Sequence, residues 1–176
     1  STTGANNTAV GRECLQANTT GASNTALGST ALDANTTGSF NTALGQASLG
    51  ANTTASNNVA VGYAALLLNT TGTNNVMVGS SAGDAITTAS NNTGVGHDVL
   101  GANTSGDLNT AMGSTALNTN TTGSANTGIG FGALTANTEG TRNTSVGANS
   151  LDANTTANDN TVVGYDAGTA NTTGEK

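Results

Sequence analysis

The chain has 176 residues and a net charge of −7, and it contains 2% aromatic residues, no Pro and no Trp. So few large side chains cannot fill the core of a conventional globular domain of this length. With only three basic residues, nucleic-acid binding has no electrostatic basis. No apolar stretch approaches the length of a membrane span, so we expect no membrane insertion.

The sequence repeats every 17 residues. Cutting it before each Thr-Thr pair, read as Thr-Ser at Thr104 and Thr-Glu at Thr138, gives ten blocks from Thr2 to Asn171 without insertion or deletion. A typical block, with positions numbered 1 to 17, reads T-T-G-S-x-N-T-A-V-G-x-x-A-L-x-A-N. Disordered chains have no reason to keep such a period, and helical repeats need about 33 residues or more. The pattern therefore predicts a single repeat domain, residues 1–176, which we expect to be a fragment or subunit of a longer fibre.

The residue types predict that each block is one coil of an all-β parallel β-solenoid. In chain order we expect a Thr-Thr-Gly corner, a short strand at positions 6 to 10, a turn near the Gly, and a second extended stretch at positions 13 to 17. Small residues at positions 8, 13 and 16 and aliphatic residues at 9 and 14 are candidates for a thin interior. Ten coils stacked at about 4.8 Å would make a rod of about 48 Å.

Three positions do not vary: Thr at position 1, Asn at position 6 and Gly at position 10. Position 6 is Asn in every block, and stacked coils would place these amides above one another, where they can donate and accept along a ladder. Thr at position 1 and the frequent Asn at position 17 predict further ladders. Position 10 is Gly in every block, as a turn residue. The predicted ladder is Asn7, Asn24, Asn41, Asn58, Asn75, Asn92, Asn109, Asn126, Asn143 and Asn160, and the predicted turn residues are Gly11, Gly28, Gly45, Gly62, Gly79, Gly96, Gly113, Gly130, Gly147 and Gly164.

Paired apolar positions raise the question of self-association. Neighbouring side chains of a strand face opposite sides, yet positions 8 and 9 are both apolar, as are 13 and 14. If position 8 points inward, position 9 forms an exposed aliphatic stripe that a parallel homotrimer would cover. Alternatively, a turn between positions 8 and 9 directs both side chains inward.

The strings "NTAVG" at residues 7–11 and "NTALG" at 24–28 and 41–45 resemble repeats of bacterial and phage tail-fibre-domain proteins. They are more distantly similar to the head repeats of trimeric autotransporter adhesins. The resemblance covers Thr2 to Asn171 and implies a trimeric parallel β-solenoid in a cell-surface or virion fibre. Two features depart from that pattern: residues 1–176 include no chaperone domain, and "GYQAL" is present only as "GYAAL" at residues 62–66.

Residues suited to chemistry are scarce. The single His97 and single Cys14 cannot form a zinc cluster or a disulfide within the chain, although Cys14 could link two chains, and no acid–base constellation is visible. We therefore predict no catalytic residues, no metal site and no cofactor. An Asn-x-Thr/Ser sequon recurs at position 17, where a glycan would block an inward Asn ladder.

Position 11 is aromatic or His in alternate blocks from the fourth onward: Tyr63, His97, Phe131 and Tyr165. Such rings can stack on sugars, or they can pack over a neighbouring coil or chain.

The leading functional hypothesis is a structural fibre or adhesin shaft, extracellular or on a virion, that associates with itself as a homotrimer or end to end. Weak contacts with surface glycans are a further possibility for its flank. The alternative is an ice-binding β-solenoid, because aligned Thr side chains at positions 1, 2 and 7 could order water. Adjacent positions 1 and 2 should face opposite sides, however, which argues against one flat Thr face.

Overall fold

The computed structural model describes residues 3 to 174 and is a parallel β-solenoid with one coil per block. Each coil contributes one strand of three residues, and all ten strands form a single sheet in chain order. The strands are β1 Thr8–Val10, β2 Thr25–Leu27, β3 Thr42–Leu44, β4 Val59–Val61, β5 Val76–Val78, β6 Thr93–Val95, β7 Thr110–Met112, β8 Thr127–Ile129, β9 Thr144–Val146 and β10 Thr161–Val163. None of the described residues belongs to a helix long and apolar enough to cross a membrane.

The register of the sheet follows the sequence period throughout. Thr8 pairs with Thr25, Ala26 with Ala43, and every later strand continues without a shift. Each residue therefore lies beside the residue 17 positions further along the chain. The predicted all-β parallel β-solenoid with a 17-residue period is confirmed.

The second extended stretch predicted at positions 13 to 17 is wrong. This part of the coil is a series of turns in which positions 12 and 14 adopt left-handed backbone conformations, with φ of 57° at Thr30 and 52° at Leu32. This conformation directs N–H groups two residues apart in opposite directions along the rod. Thr30 N–H donates to Arg12 of the preceding coil, and Leu32 N–H donates to Ser48 of the following one.

The core is thin, and positions 8, 13 and 14 line it as predicted, whereas positions 9 and 16 do not. Position 8 points inward and is buried from the second to the ninth coil, as at Ala26 and Ala43. Positions 13 and 14 are both buried, as at Ala31 and Leu32, because the left-handed residue removes the alternation of a strand. Position 16 is not core, since Ala17 is exposed and its equivalents are exposed or half-buried. The small residue at position 3 is buried in its place in the second to tenth coils.

The fifth coil fills the same space with different side chains. It has Met77 at position 8, Gly83 at position 14 and Ile86 at position 17, where the typical block has Ala, Leu and Asn. All three are fully buried or nearly so. A Cβ atom placed on Gly83 would lie 2.9 Å from Ile86 Cδ1 and 3.1 Å from Met77 Sδ. The longer side chains of Met77 and Ile86 therefore occupy the volume that Leu occupies elsewhere.

Candidate binding surfaces

The Asn side chains at position 6 connect each coil to the next. In the second coil, Asn24 Oδ1 accepts the N–H of Asn41 at 2.9 Å, and Asn24 Nδ2 donates to the carbonyl of Gly38 at 2.9 Å. The Asn side chains from the second to the tenth coil are buried, and the first, Asn7, is half-buried. The predicted ladder is present, but most of its bonds join side chain to main chain. Bonds between neighbouring position-6 amides occur only at Asn92, Asn143 and Asn160 among the described residues.

The Asn side chains at position 17 form a ladder in which an amide donates to the side-chain amide of the preceding coil. Asn35 Nδ2 donates to Asn18 Oδ1 at 2.9 Å, and Asn52 Nδ2 donates to Asn35 Oδ1 at 2.8 Å. Ile86 interrupts this ladder, and the buried Asn69 Oδ1 beside it has no hydrogen-bond partner within the described residues. The sequon Asn residues from Asn18 to Asn154 are buried. The folded chain therefore does not present these amides for glycosylation.

The Thr hydroxyls at position 1 are also used within the rod. Thr19 and Thr36 each donate their hydroxyl to the position-1 carbonyl of the following coil, both at 2.9 Å. The predicted Thr ladder at position 1 is therefore present, and its bonds run from hydroxyl to carbonyl. Position 2 is exposed in every described coil and points away from the core.

The ten Gly residues at position 10 follow the strand and have φ between 127° and 146°. A Cβ atom on Gly45 would lie 2.3 Å from the carbonyl oxygen of Gly62 in the next coil. Both the backbone conformation and the close approach of coils therefore require Gly.

We define the sheet face as the outward side chains of positions 7 and 9. Position 9 points outward in every coil; Val10 is 56% exposed, Leu27 49% and Val163 70%. This decides between the two sequence interpretations, because no turn brings positions 8 and 9 to the same side. Position 7 contains only Thr or Val, and position 9 only aliphatic residues or Met. The sheet face therefore carries no charge, although the chain has 13 charged residues, three basic and ten acidic.

We define the aromatic column as Tyr63, His97, Phe131 and Tyr165. All four side chains are exposed, with values of 58% for Tyr63, 61% for Phe131 and 76% for Tyr165. A hydrogen bond to the neighbouring Asp166 carboxylate raises the pKa of Tyr165. The column lies just beyond the position-10 turn that ends the strand.

The remaining titratable groups are dispersed. Cys14 is half-buried, and its thiol donates to the carbonyl of Gly28. Burial and the nearby Asp98 carboxylate raise the pKa of Asp84, whereas Arg142 lowers the pKa of Asp159 through a hydrogen bond of 2.6 Å. Residues 3 to 174 enclose no pocket and bring together no group of three His, Cys, Asp or Glu side chains suited to a metal ion.

No known protein family, curated protein or solved structure matches this chain. The candidate surfaces are therefore judged from their own geometry. Sequence reasoning located the sheet face and the aromatic column, but it missed the buried position 3. The sequence does contain a signal for a buried position 3, because this position is Gly or Ala in all ten blocks.

Proposed function

We propose that this repeat is the shaft of a structural fibre or adhesin, extracellular or on a virion. The observation that supports it best is the continuity of hydrogen bonds along the rod. Backbone and side-chain bonds connect each coil to the next through all ten coils. A rod of this kind transmits position and load over its length, which we estimate at about 43 Å from nine strand spacings.

The axial bonds are distributed around the coil rather than confined to the sheet. In the second coil, the Thr19 hydroxyl at the Thr-Thr-Gly corner donates to Thr36, and the Leu32 N–H in the series of turns donates to Ser48. Bending the rod would lengthen bonds on one side and compress main chain on the other. Stability in such arrays grows by nearest-neighbour interactions as coils are added.

Self-association is the second part of the proposal. The sheet face is an uncharged stripe along the whole rod, and continuous exposed apolar surface commonly marks an interaction site. We propose that further copies of this chain cover it in a parallel homotrimer, with end-to-end filaments as the alternative. The threefold arrangement and the extracellular or virion setting are drawn from the resemblance to tail-fibre repeats.

Sedimentation analysis of charged variants tests this proposal. Leu27→Lys and Ile129→Lys place charges on the sheet face, and Thr37→Lys and Thr122→Lys place the same charges at exposed position 2. We expect a trimer for the unmodified chain, dissociation for the sheet-face pair and no change for the position-2 pair. A monomeric unmodified chain at micromolar concentration contradicts the oligomer.

Ice binding is a second candidate, favoured by the outward Thr row at position 7 of the sheet face. Flat rows of hydroxyl and methyl groups at strand spacing are suited to ordering water. Val59 and Val76 interrupt the row, and the position-1 hydroxyls donate to carbonyls. The structure thus leaves fewer free Thr rows than the sequence suggested.

A further inference from the structure

The few aromatic residues of this chain are concentrated in one column. The sequence contains two Tyr, two Phe and one His. Both Tyr residues, one of the Phe residues and the His all lie at position 11, in the fourth, sixth, eighth and tenth coils. The remaining aromatic residue, Phe40, lies at position 5. A distribution of this kind is not explained by core packing, because the rings of the column are exposed.

The main chain sets the spacing of the rings. Ser81 N–H donates to the carbonyl of Tyr63 at 2.9 Å, and Asp98 N–H donates to the carbonyl of Ser80 at 3.0 Å. The same bond recurs through Thr115 to His97 and Asn149 to Phe131. Position 11 therefore advances by one strand spacing per coil, and the main-chain positions that carry neighbouring rings are separated by about 9.6 Å.

The coils between the rings have small side chains at the same position. Ser80, Ser114 and Ala148 occupy position 11 in the fifth, seventh and ninth coils. The column therefore alternates ring and gap along the rod. Rings separated by a gap of this size do not stack on one another, so each face or edge is open to a ligand.

We propose that the aromatic column binds an extended β-1,4-linked polysaccharide that runs parallel to the rod. A pyranose chain with this linkage turns over at each residue, so every second sugar presents the same face to one side. Its two-residue repeat is close in length to the spacing between neighbouring rings. Each ring can therefore receive an equivalent apolar sugar face, through the contact of C–H groups with an aromatic surface.

At two of the four rings a carboxylate next in sequence can recognise sugar hydroxyls, whereas Ala64 and Gly132 follow Tyr63 and Phe131. Position 12 contains Asp98 beside His97 and Asp166 beside Tyr165, and Asn149 Nδ2 donates to Asp166 Oδ1 at 3.1 Å. Carboxylate and amide groups next to an aromatic surface are typical of sites that orient a polar ligand. An α-1,4-linked chain coils and does not present one sugar face at regular two-residue intervals, so it should not fit the column.

Calorimetric titration with three oligosaccharides tests the proposal. Cellohexaose and chitohexaose are β-1,4-linked and contain three two-residue repeats, and maltohexaose is the α-1,4-linked control. We expect the unmodified chain to bind at least one β-1,4-linked hexamer and not to bind maltohexaose. Phe131→Ala should weaken binding by about 2- to 10-fold, the range typical of one aromatic contact. Tyr63→Ala combined with Phe131→Ala should weaken it further.

Phe40→Ala is the matched control. Phe40 is 64% exposed but lies outside the column, and Ala125 occupies the same position in another coil with nearly the same φ. Its removal should leave binding unchanged. Failure to bind either β-1,4-linked hexamer overturns the proposal, as does equal binding of maltohexaose or equal loss in Phe40→Ala. Sedimentation of the same variants separates this result from the shaft proposal, because these column substitutions leave positions 7 and 9 intact.

Discussion

Met77 occupies the space that would receive the side chain of residue 83 if that residue were Leu. A Cβ atom on Gly83 would lie 3.1 Å from both Met77 Cγ and Met77 Sδ. The backbone of Gly83, with φ of 59°, is nearly that of Leu66 at the same position one coil earlier, with φ of 53°. Ile86 Cδ1 would be closer still to a Cβ atom on Gly83, at 2.9 Å. Steric exclusion by Met77 and Ile86, rather than backbone conformation, therefore distinguishes this coil from its neighbours.

The first prediction concerns the replacement of a Leu side chain at position 14 by the side chains of Met77 and Ile86 in the core of the fifth coil. Gly83→Leu alone should reduce the free energy of unfolding by about 1–3 kcal/mol, because it overpacks the core. Adding Met77→Ala and Ile86→Asn rebuilds the typical layer and gives Asn69 Oδ1 a donor. Denaturant unfolding should show the triple variant to be more stable than the single variant. Equal stability of the two would contradict the compensation.

The second prediction concerns the position-6 ladder. Asn109 Oδ1 accepts the N–H of Asn126 at 3.0 Å, and Asn109 Nδ2 donates to Gly123 at 2.9 Å. Asn109→Ser should therefore leave the buried N–H of Asn126 without a partner, at a cost of about 1–3 kcal/mol in unfolding free energy. The Gly123 carbonyl loses one of two donors and keeps Asn120 Nδ2 at 2.9 Å.

Asn57→Ser is the control for that variant. Asn57 is exposed at position 5, where Ser23 is tolerated with a similar φ. We expect a change of no more than about 0.5 kcal/mol at this site. If urea titration gave the same midpoint for both variants, the ladder would not contribute to stability.

The third prediction compares two Gly residues with the same backbone conformation. Gly96 and Gly164 both lie at position 10, with φ of 146° and 135°. A Cβ atom on Gly96 would lie 2.5 Å from the carbonyl oxygen of Gly113, whereas on Gly164 it would lie 3.5 Å from Ala167 Cβ. Thermal unfolding should therefore show a larger decrease in Tm for Gly96→Ala than for Gly164→Ala. Equal decreases would indicate that φ alone requires Gly.

The fourth prediction tests the shaft as a modular rod. Deleting residues 53–86 removes two whole coils and brings Asn52 before Thr87 in the same phase. The shortened chain should remain folded, and electron microscopy should show a rod about 10 Å shorter than that of the unmodified chain. Deleting 25 residues, which breaks the phase, should unfold part of the rod. Loss of circular-dichroism signal in the in-phase deletion would contradict nearest-neighbour stability.

The fifth prediction separates the two candidate functions. The position-1 hydroxyls are bonded to carbonyls, and Val59 and Val76 interrupt the position-7 row. We therefore expect no thermal hysteresis and no shaping of ice crystals by the purified protein. Faceted ice crystals at micromolar protein would instead favour ice binding, and Thr110→Lys on the sheet face would then be expected to abolish the effect.

The sequence by itself determined the period, the parallel stacking and the positions of the ladders. These properties follow from exact repetition, because coils of equal length place equal residues above one another. An invariant Asn or Gly then lies beside a residue of its own type in the adjacent coil. Asn41 lies beside Asn24, and Gly45 lies beside Gly62. This is why the Asn ladder at position 6 and the Gly turn at position 10 could be located from residue types.

Only the tertiary structure decided which side chains face inward. Leu32 and Thr30 adopt left-handed conformations that residue type does not favour, and the hydrogen bonds to adjacent coils stabilise them. That backbone buries positions 13 and 14 together, while the regular strand separates buried position 8 from exposed position 9. Adjacent apolar residues are thus buried together at positions 13 and 14, whereas at positions 8 and 9 one is buried and the other is exposed. Contacts between coils, which a single block does not contain, determine the difference.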